Sequence, residues 1–313
     1  MTQRLPRASY FFSLGLGLCA ISTASLFIRF AQADGAPSLV IAAWRLTLAS
    51  LVLLPLTLWR YTGELRALTL RAWGLTLVSG AFLGLHFAAW ISSLAYTTVA
   101  SSVVIVCSSP LFVALISALA LREWPARAVR LGLATALAGI VTISLVDLCT
   151  PHGCPAPADL FRGKAMLGNM LALLGAIAAA IYFSVGRALR TQRAGRPPMS
   201  LIPYILLTYG TASVTLLAGL LALRVPMSGY APRAWVWFVL LALVPQLLGH
   251  SAFNWALKYL PATYVSIMVL GEPVGSTLLA AIFLGEIPSP LKIAGGALIL
   301  AGILIASRRP TET

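Results

Sequence analysis

Ten runs of about 20 apolar residues, each bounded by charge, Gly or Pro, fill most of this 313-residue chain. They fall near 9–30, 37–59, 72–96, 98–121, 127–146, 165–187, 200–223, 232–257, 261–284 and 290–307. About 20 such residues in a helix cross a hydrocarbon core of roughly 30 Å. Ten spans leave room for loops and ends but not for a separate soluble domain. Only 10% of residues are charged and 59% are hydrophobic, whereas a soluble domain is about a quarter charged. A soluble enzyme, a disordered chain and a nucleic-acid-binding domain are therefore excluded, despite a net charge of +14. The runs are continuous and lack the period-2 alternation of a barrel strand. The expected fold class is an all-α membrane protein with ten transmembrane helices.

The first run could be mistaken for a secretory leader, because Ala31-Gln32-Ala33 imitates a cleavage site. Its apolar stretch of about 22 residues exceeds the 7–15 of a leader, so it reads as a retained span. Basic residues then set the orientation. Fifteen of the 22 Lys and Arg residues fall on the side of the N-terminus and six on the other, while Arg45 lies inside a span. By the positive-inside rule both termini are expected in the cytoplasm, and the basic balance records topology and anionic lipid. The expected location is the plasma (inner) membrane.

Cys149 and Cys154 bracket Thr-Pro-His-Gly in the loop after the fifth run, on the expected outer side. An oxidising compartment permits a disulfide there, which makes the pair a disulfide candidate. His152 lies between them, but three ligands without a fourth do not make a metal site. No metal and no cofactor are expected.

The chain repeats itself. Leu94, Tyr96, Pro110, Glu123, Gly132 and Gly139 recur as Leu257, Tyr259, Pro273, Glu286, Gly295 and Gly302, at a constant offset of 163 residues. The two copies span 9–146 and 165–307, with five runs in each. An odd number of spans reverses the second copy across the membrane, giving two inverted five-helix repeats. That arrangement goes with alternating access around a midplane site.

Specific motifs sit on this frame. Trp44-Arg45-Leu46 is followed by Ala49 and Pro55; Pro110 precedes Leu121-Arg122-Glu123; and Gly271-Glu272-Pro273 leads to Leu284-Gly285-Glu286. Together they resemble the EamA-type, ten-helix branch of the drug/metabolite transporter superfamily. The resemblance implies a basket-like bundle, with a central cavity lined by the first, third, fourth, sixth, eighth and ninth helices. Similar proteins export amino acids, nucleosides, other metabolites or toxic cations.

Charge inside a membrane costs about 2.5–3.5 kcal/mol near the centre and is a functional candidate by default. Glu272, in the middle of the ninth run, suits proton coupling or cation binding. Its structural alternative is a neutral carboxyl bonded to a backbone carbonyl freed by Pro273. Arg45 could grip a substrate carboxylate or an ion-pair partner, or satisfy a structural acceptor such as a helix C-terminus. Gln246, His250, Asn254 and Lys258 recur every four residues, a polar stripe about 18 Å long on one helix face. Phe82, His86 and Trp90 share that spacing in the third run. Such side chains line a wet cavity or hydrogen-bond between helices. Tyr182, Tyr204 and Tyr209 lie deep enough to stack on a ligand or simply to pack. The candidate substrate-binding set is His86, Trp90, Tyr182, Gln246, His250 and Asn254.

The expected function is a secondary transporter, working as a monomer and with protons as a candidate coupling ion. It would export a small metabolite, an amino acid first; the alternative is a multidrug exporter of lipophilic cations. An intramembrane enzyme is disfavoured, since the chain has no His-Glu-x-x-His motif, no Gly-x-Ser-x-Gly elbow and no paired intramembrane Asp.

Overall fold

The computed structural model describes residues 7–93, 96, 102, 105–148, 163–191, 197–284 and 289–307. Cys149, His152 and Cys154 lie outside them. Among the described residues all regular structure is helical. The chain runs through α1 (Arg7–Ser22), α2 (Ala24–Ala33), α3 (Ser38–Arg60), the short α4 (Thr62–Ala67), α5 (Leu70–Ser93) and α6 (Ser109–Ile116). It continues through α7 (Arg127–Leu148), α8 (Gly163–Arg190), α9 (Leu201–Ala222), α10 (Pro232–Leu241) and α11 (Ser251–Ala256). The last elements are α12 (Ala262–Val269), α13 (Glu272–Leu284) and α14 (Pro290–Ser307). Wider π-helical turns extend α6 over Ser117–Leu121 and join α10 to α11 over Ala242–His250.

Among the described residues, seven segments are long and apolar enough to cross a membrane: Tyr10–Ala33, Ser38–Arg60, Leu70–Ser93, Met166–Arg190, Leu201–Ala222, Pro232–Ala256 and Ala262–Phe283. Ser109–Leu121 and Ile293–Ala306 are shorter apolar helices. The protein is thus multi-pass. Its surface agrees with a lipid solvent. Helix α3 buries Val40, Ile41, Leu46 and Leu53, yet leaves Leu51, Val52, Leu54 and Leu58 exposed, a patch that water would penalise and hydrocarbon does not.

Small residues let the helices approach one another. Helix α5 packs on α8 and α9, α9 on α3, α6 on α12, and α1 on the Ala242–His250 turn, α11 and α13. At Gly80 and Gly84 a Cβ would meet Thr208 O at 2.6 Å and Ala212 O at 3.0 Å, so this Gly-xxx-Gly pair seats α5 against α9. Helices α7 and α14 cross backbone to backbone. A Cβ on Gly139 would stand 2.5 Å from Gly295 O, and one on Gly302 would stand 2.5 Å from Gly132 O. The glycines thus meet in crossed order, Gly132 with Gly302 and Gly139 with Gly295.

Prolines break two helices. The segment Ala262–Phe283 is interrupted at Leu270-Gly271, where tight bonds run from Leu270 N–H to Ile267 O (3.0 Å) and from Gly271 N–H to Met268 O (3.2 Å). Pro273 has no N–H, and in a continuous helix its ring would strike the Val269 carbonyl. Helix α6 begins in the same way, with Pro110 in its first turn after a bond from Ser108 N–H to Ile105 O at 3.1 Å. Pro245 lies inside the π-helical stretch. Pro203 is different: it occupies the first turn of α9, where a missing N–H is harmless and no kink is needed.

Gly139→Val is expected to lower thermal stability in detergent by an amount typical of overpacking, about 1–3 kcal/mol, because the obstacles are backbone atoms. Gly74→Ala, where nothing lies within 4 Å of the added Cβ, should leave the melting temperature unchanged.

Candidate functional site

The polar residues within the spans converge. Arg45, on α3, is only 2% exposed; its Nε donates to Gln246 Oε1 at 2.7 Å. The Phe87 ring of α5 covers the guanidinium, with Cζ 4.6 Å from the ring centre. Gln246 and Asn254 are fully buried. Asn254 Nδ2 donates to Tyr182 OH (2.5 Å), Tyr209 OH (3.3 Å) and His250 O (2.9 Å). Tyr209 OH also lies 3.2 Å from Ser251 Oγ.

A second group adjoins the first through Phe87. His86 Nδ1 lies 3.0 Å from Gly175 O, and its ring stacks on Trp90 at 6.0 Å and 11°. The edge of Phe87 meets His250 at 5.7 Å. All six candidate substrate-binding residues therefore belong to one connected assembly contributed by α5, α8, the Ala242–His250 turn and α11. Arg45 joins it directly. Glu272, half-buried as the first residue of α13, acts electrostatically on Arg45. No ion pair joins the two, and the carboxyl takes no hydrogen bond from another described residue.

Five buried polar atoms in this assembly have no hydrogen-bond partner: Arg45 Nη2, Trp90 Nε1, Gln246 Nε2, His250 Nδ1 and Asn254 Oδ1. Buried polar groups are nearly always bonded, so a cluster of orphans marks where a ligand or water would bind. Arg45 also resolves one expectation: its partner is a side-chain amide and not a helix C-terminus. The polar stripe is modified as well. Its upper part lies on a π-helical turn, where Ser251 Oγ bonds Gln246 O five residues back at 3.4 Å. Lys258 leaves the cluster and rests over the Tyr259 ring at 5.5 Å.

A model of the EamA-like transporter family matches residues 9–145 and 166–308. This chain belongs to the EamA-like transporter family. A Bacillus subtilis (strain 168) family relative, "Uncharacterized transporter YdfC", is 24% identical over 224 residues, covering 71% of this chain and 67% of its own length. An "Uncharacterized transporter" of Archaeoglobus fulgidus is 35% identical over 75 residues, 24% of this chain and 28% of that protein. A "Probable terminal-alkyne amino-acid exporter" of Streptantibioticus cattleyicolor is 32% identical over 71 residues, 23% of this chain and 24% of its own. These last two matches span about a quarter of each relative. A protein of known crystal structure superimposes with TM-score 0.76 at 20% identity, covering 96% of this chain and 97% of that one. That likeness shows the fold.

Within this EamA-like chain, sequence reasoning missed Phe87, which reads as one apolar residue among many, and understated Tyr209. It also missed a cationic clasp at the end of α8. Arg187, 2% exposed, pairs through Nε with Glu123 Oε1 at 3.1 Å. Its Nη1 donates to Leu257 O at 3.0 Å. Arg190 is equally buried and donates through Nε to Asn254 O at 3.3 Å and through Nη1 to Met199 O at 2.5 Å. Both fall at or just past the end of the sixth apolar run, 165–187. They cap carbonyls at the end of α11, a cationic role favoured at helix C-termini.

Removing one partner of a buried ion pair leaves the other uncompensated. Glu123→Ala is expected to cost up to about 3 kcal/mol of stability, read as a lowered melting temperature in detergent. Glu123→Asp should retain part of it.

Proposed function

We propose that this protein is a secondary transporter that exports a small metabolite, with amino acids as the leading substrate class, by alternating access between two inverted five-helix repeats. The observation that carries the reading is the cluster of unpaired polar atoms on Arg45, Trp90, Gln246, His250 and Asn254, buried inside a multi-pass chain of a transporter family. The crossed glycine contacts support the inverted repeat. Applying the 163-residue offset to the pair Gly132–Gly302 yields Gly295–Gly139, which is the other contact at that crossing, as a two-fold relation requires. Breaks at Pro110 and Pro273 obey the same offset and suit discontinuous helices at a transport site. The amino-acid class draws on the Streptantibioticus cattleyicolor relative and on the mixed charge of the site.

His86, Trp90, Tyr182, Gln246, His250 and Asn254 would line the path, with Glu272 coupling transport to protons or binding a cation. A single chain contains both halves of such a path and would work as a monomer. Both termini would lie in the cytoplasm of a cell whose plasma membrane holds the protein. A second reading, export of lipophilic cations, is favoured by one specific feature: the Glu272 carboxyl has no hydrogen-bond partner among the described residues and could serve as counter-charge.

The test is flux of radiolabelled aliphatic, aromatic and cationic amino acids and of tetraphenylphosphonium into proteoliposomes, with and without a pH gradient. Gradient-dependent amino-acid flux that Glu272→Gln reduces at least tenfold is the expected result. Flux of tetraphenylphosphonium alone would favour the second reading, and no flux of any solute would overturn both.

A further inference from the structure

One end of the bundle is tied together by buried polar contacts that converge on the last turns of α8. Arg187 holds Glu123, just past the π-helical turn that ends α6, and donates to Leu257 O at the end of α11. Arg190 holds Asn254 O and Met199 O. The N–H of the next residue, Ser200 at the start of α9, donates to Glu64 Oε1 of α4 at 2.7 Å. Five elements, α4, α6, α8, α9 and α11, are thus joined at this end, the one expected on the cytoplasmic side.

Beside this clasp are three hydroxyls without a hydrogen-bond partner, Ser117 Oγ, Ser184 Oγ and Thr263 Oγ1, each residue at most 3% exposed. Ser117 belongs to the same π-helical turn, and its carbonyl accepts the Glu123 N–H at 2.9 Å. Ser184 precedes Arg187 by three residues on one face of α8, between the clasp and Tyr182 of the central cluster. Thr263 is in the first turn of α12, which packs on both α6 and α8. A permanently dry seam would leave these hydroxyls unsatisfied at a cost; a seam that opens gives each of them water. The 163-residue offset places Ala24, Ile21 and Ala280 at the positions equivalent to Arg187, Ser184 and Ser117. None of these carries a charge or a hydroxyl, so the other copy does not reproduce the polar set.

Resting on the alternating-access reading above, we propose that the Arg187–Glu123 pair is the gate at the cytoplasmic end of the path. Ser117, Ser184 and Thr263 line the vestibule behind it, a second polar station between the gate and the central cluster. While buried, each charge holds the other, because either one alone would be uncompensated. Once the end of α8 leaves Glu123 and Leu257 O, water reaches both charges and the three hydroxyls together. The ion pair then no longer holds the seam shut. Neutral hydroxyls bind a passing polar solute weakly enough to let it leave.

The experiment reads water access to the vestibule and needs no substrate. Ser184→Cys is placed in the full-length chain with Cys19, Cys107, Cys149 and Cys154 replaced by alanine. Its reaction with a charged, membrane-impermeant methanethiosulfonate is then timed. In inside-out membrane vesicles Glu123→Gln should raise the rate at least tenfold; in right-side-out vesicles it should not raise it. Thr263→Cys should follow Ser184→Cys. Ile140→Cys, buried on α7, should stay slow throughout, which separates an opened gate from a loosened fold. Exchanging the charges, Glu123→Arg with Arg187→Glu, should restore a slow rate at Ser184→Cys. An unchanged rate with Glu123→Gln would overturn the gate, as would equal acceleration at Ile140→Cys or acceleration from the opposite face alone. Because no solute takes part, failure of the gate is told apart from failure of the export reading, which the proteoliposome flux decides.

Discussion

In hydrocarbon a backbone N–H or C=O without a partner costs several kcal/mol, so a chain immersed in lipid must be helical wherever it meets lipid. Most of this protein obeys that constraint without exception. Its distinctive features occur where the constraint is locally loosened inside the bundle: the interruption at Leu270-Gly271, the start of α6 at Ser109, and the widened turn Ala242–His250. Each such place contains or adjoins proline, and each is packed against other helices. The freed backbone is thereby shielded from lipid, and the polar side chains that gather there, Gln246, His250 and Glu272, share the same shelter. Helix breaks and binding chemistry coincide because both need protein, and not hydrocarbon, as their solvent.

Close packing supplies that shelter. The crossings of α5 on α9 and of α7 on α14 bring backbone to backbone at glycine. In a lipid environment there is little hydrophobic gain from burying leucine between helices, so contact dispersion must do what burial does in water. Removing side chains at the crossing maximises it. The leucines displaced from such seams appear on the outside of the bundle, as on the exposed face of α3.

Span positions were legible in the sequence because apolar run length is a one-dimensional property. The recurrence of proline, glycine and glutamate at a fixed offset is likewise a property of the sequence alone. Pairings across the fold were not legible there. Arg45 and Gln246 are 201 residues apart, and both are simply polar residues in apolar runs until the helices are laid side by side. Arg187 and Arg190 read as loop charges because they follow the last apolar residues of a run. Only the packing reveals that α8 continues through them and that the ends of other helices meet them there. The four-residue polar stripe was legible as a stripe, but a widened helical turn at Pro245 changes which neighbours its members reach.

Asn254 faces two ways at once. Its side-chain amide lies between Tyr182 and Tyr209, among the binding candidates, while its backbone carbonyl receives Arg190 at the end of α8. One residue therefore joins the candidate binding set to the packing at the end of α8. Any motion that withdraws Arg190 from that carbonyl must reposition the amide, and any ligand that pulls on the amide must load the arginine. A displacement of the amide therefore reaches the end of α8 directly, through Arg190.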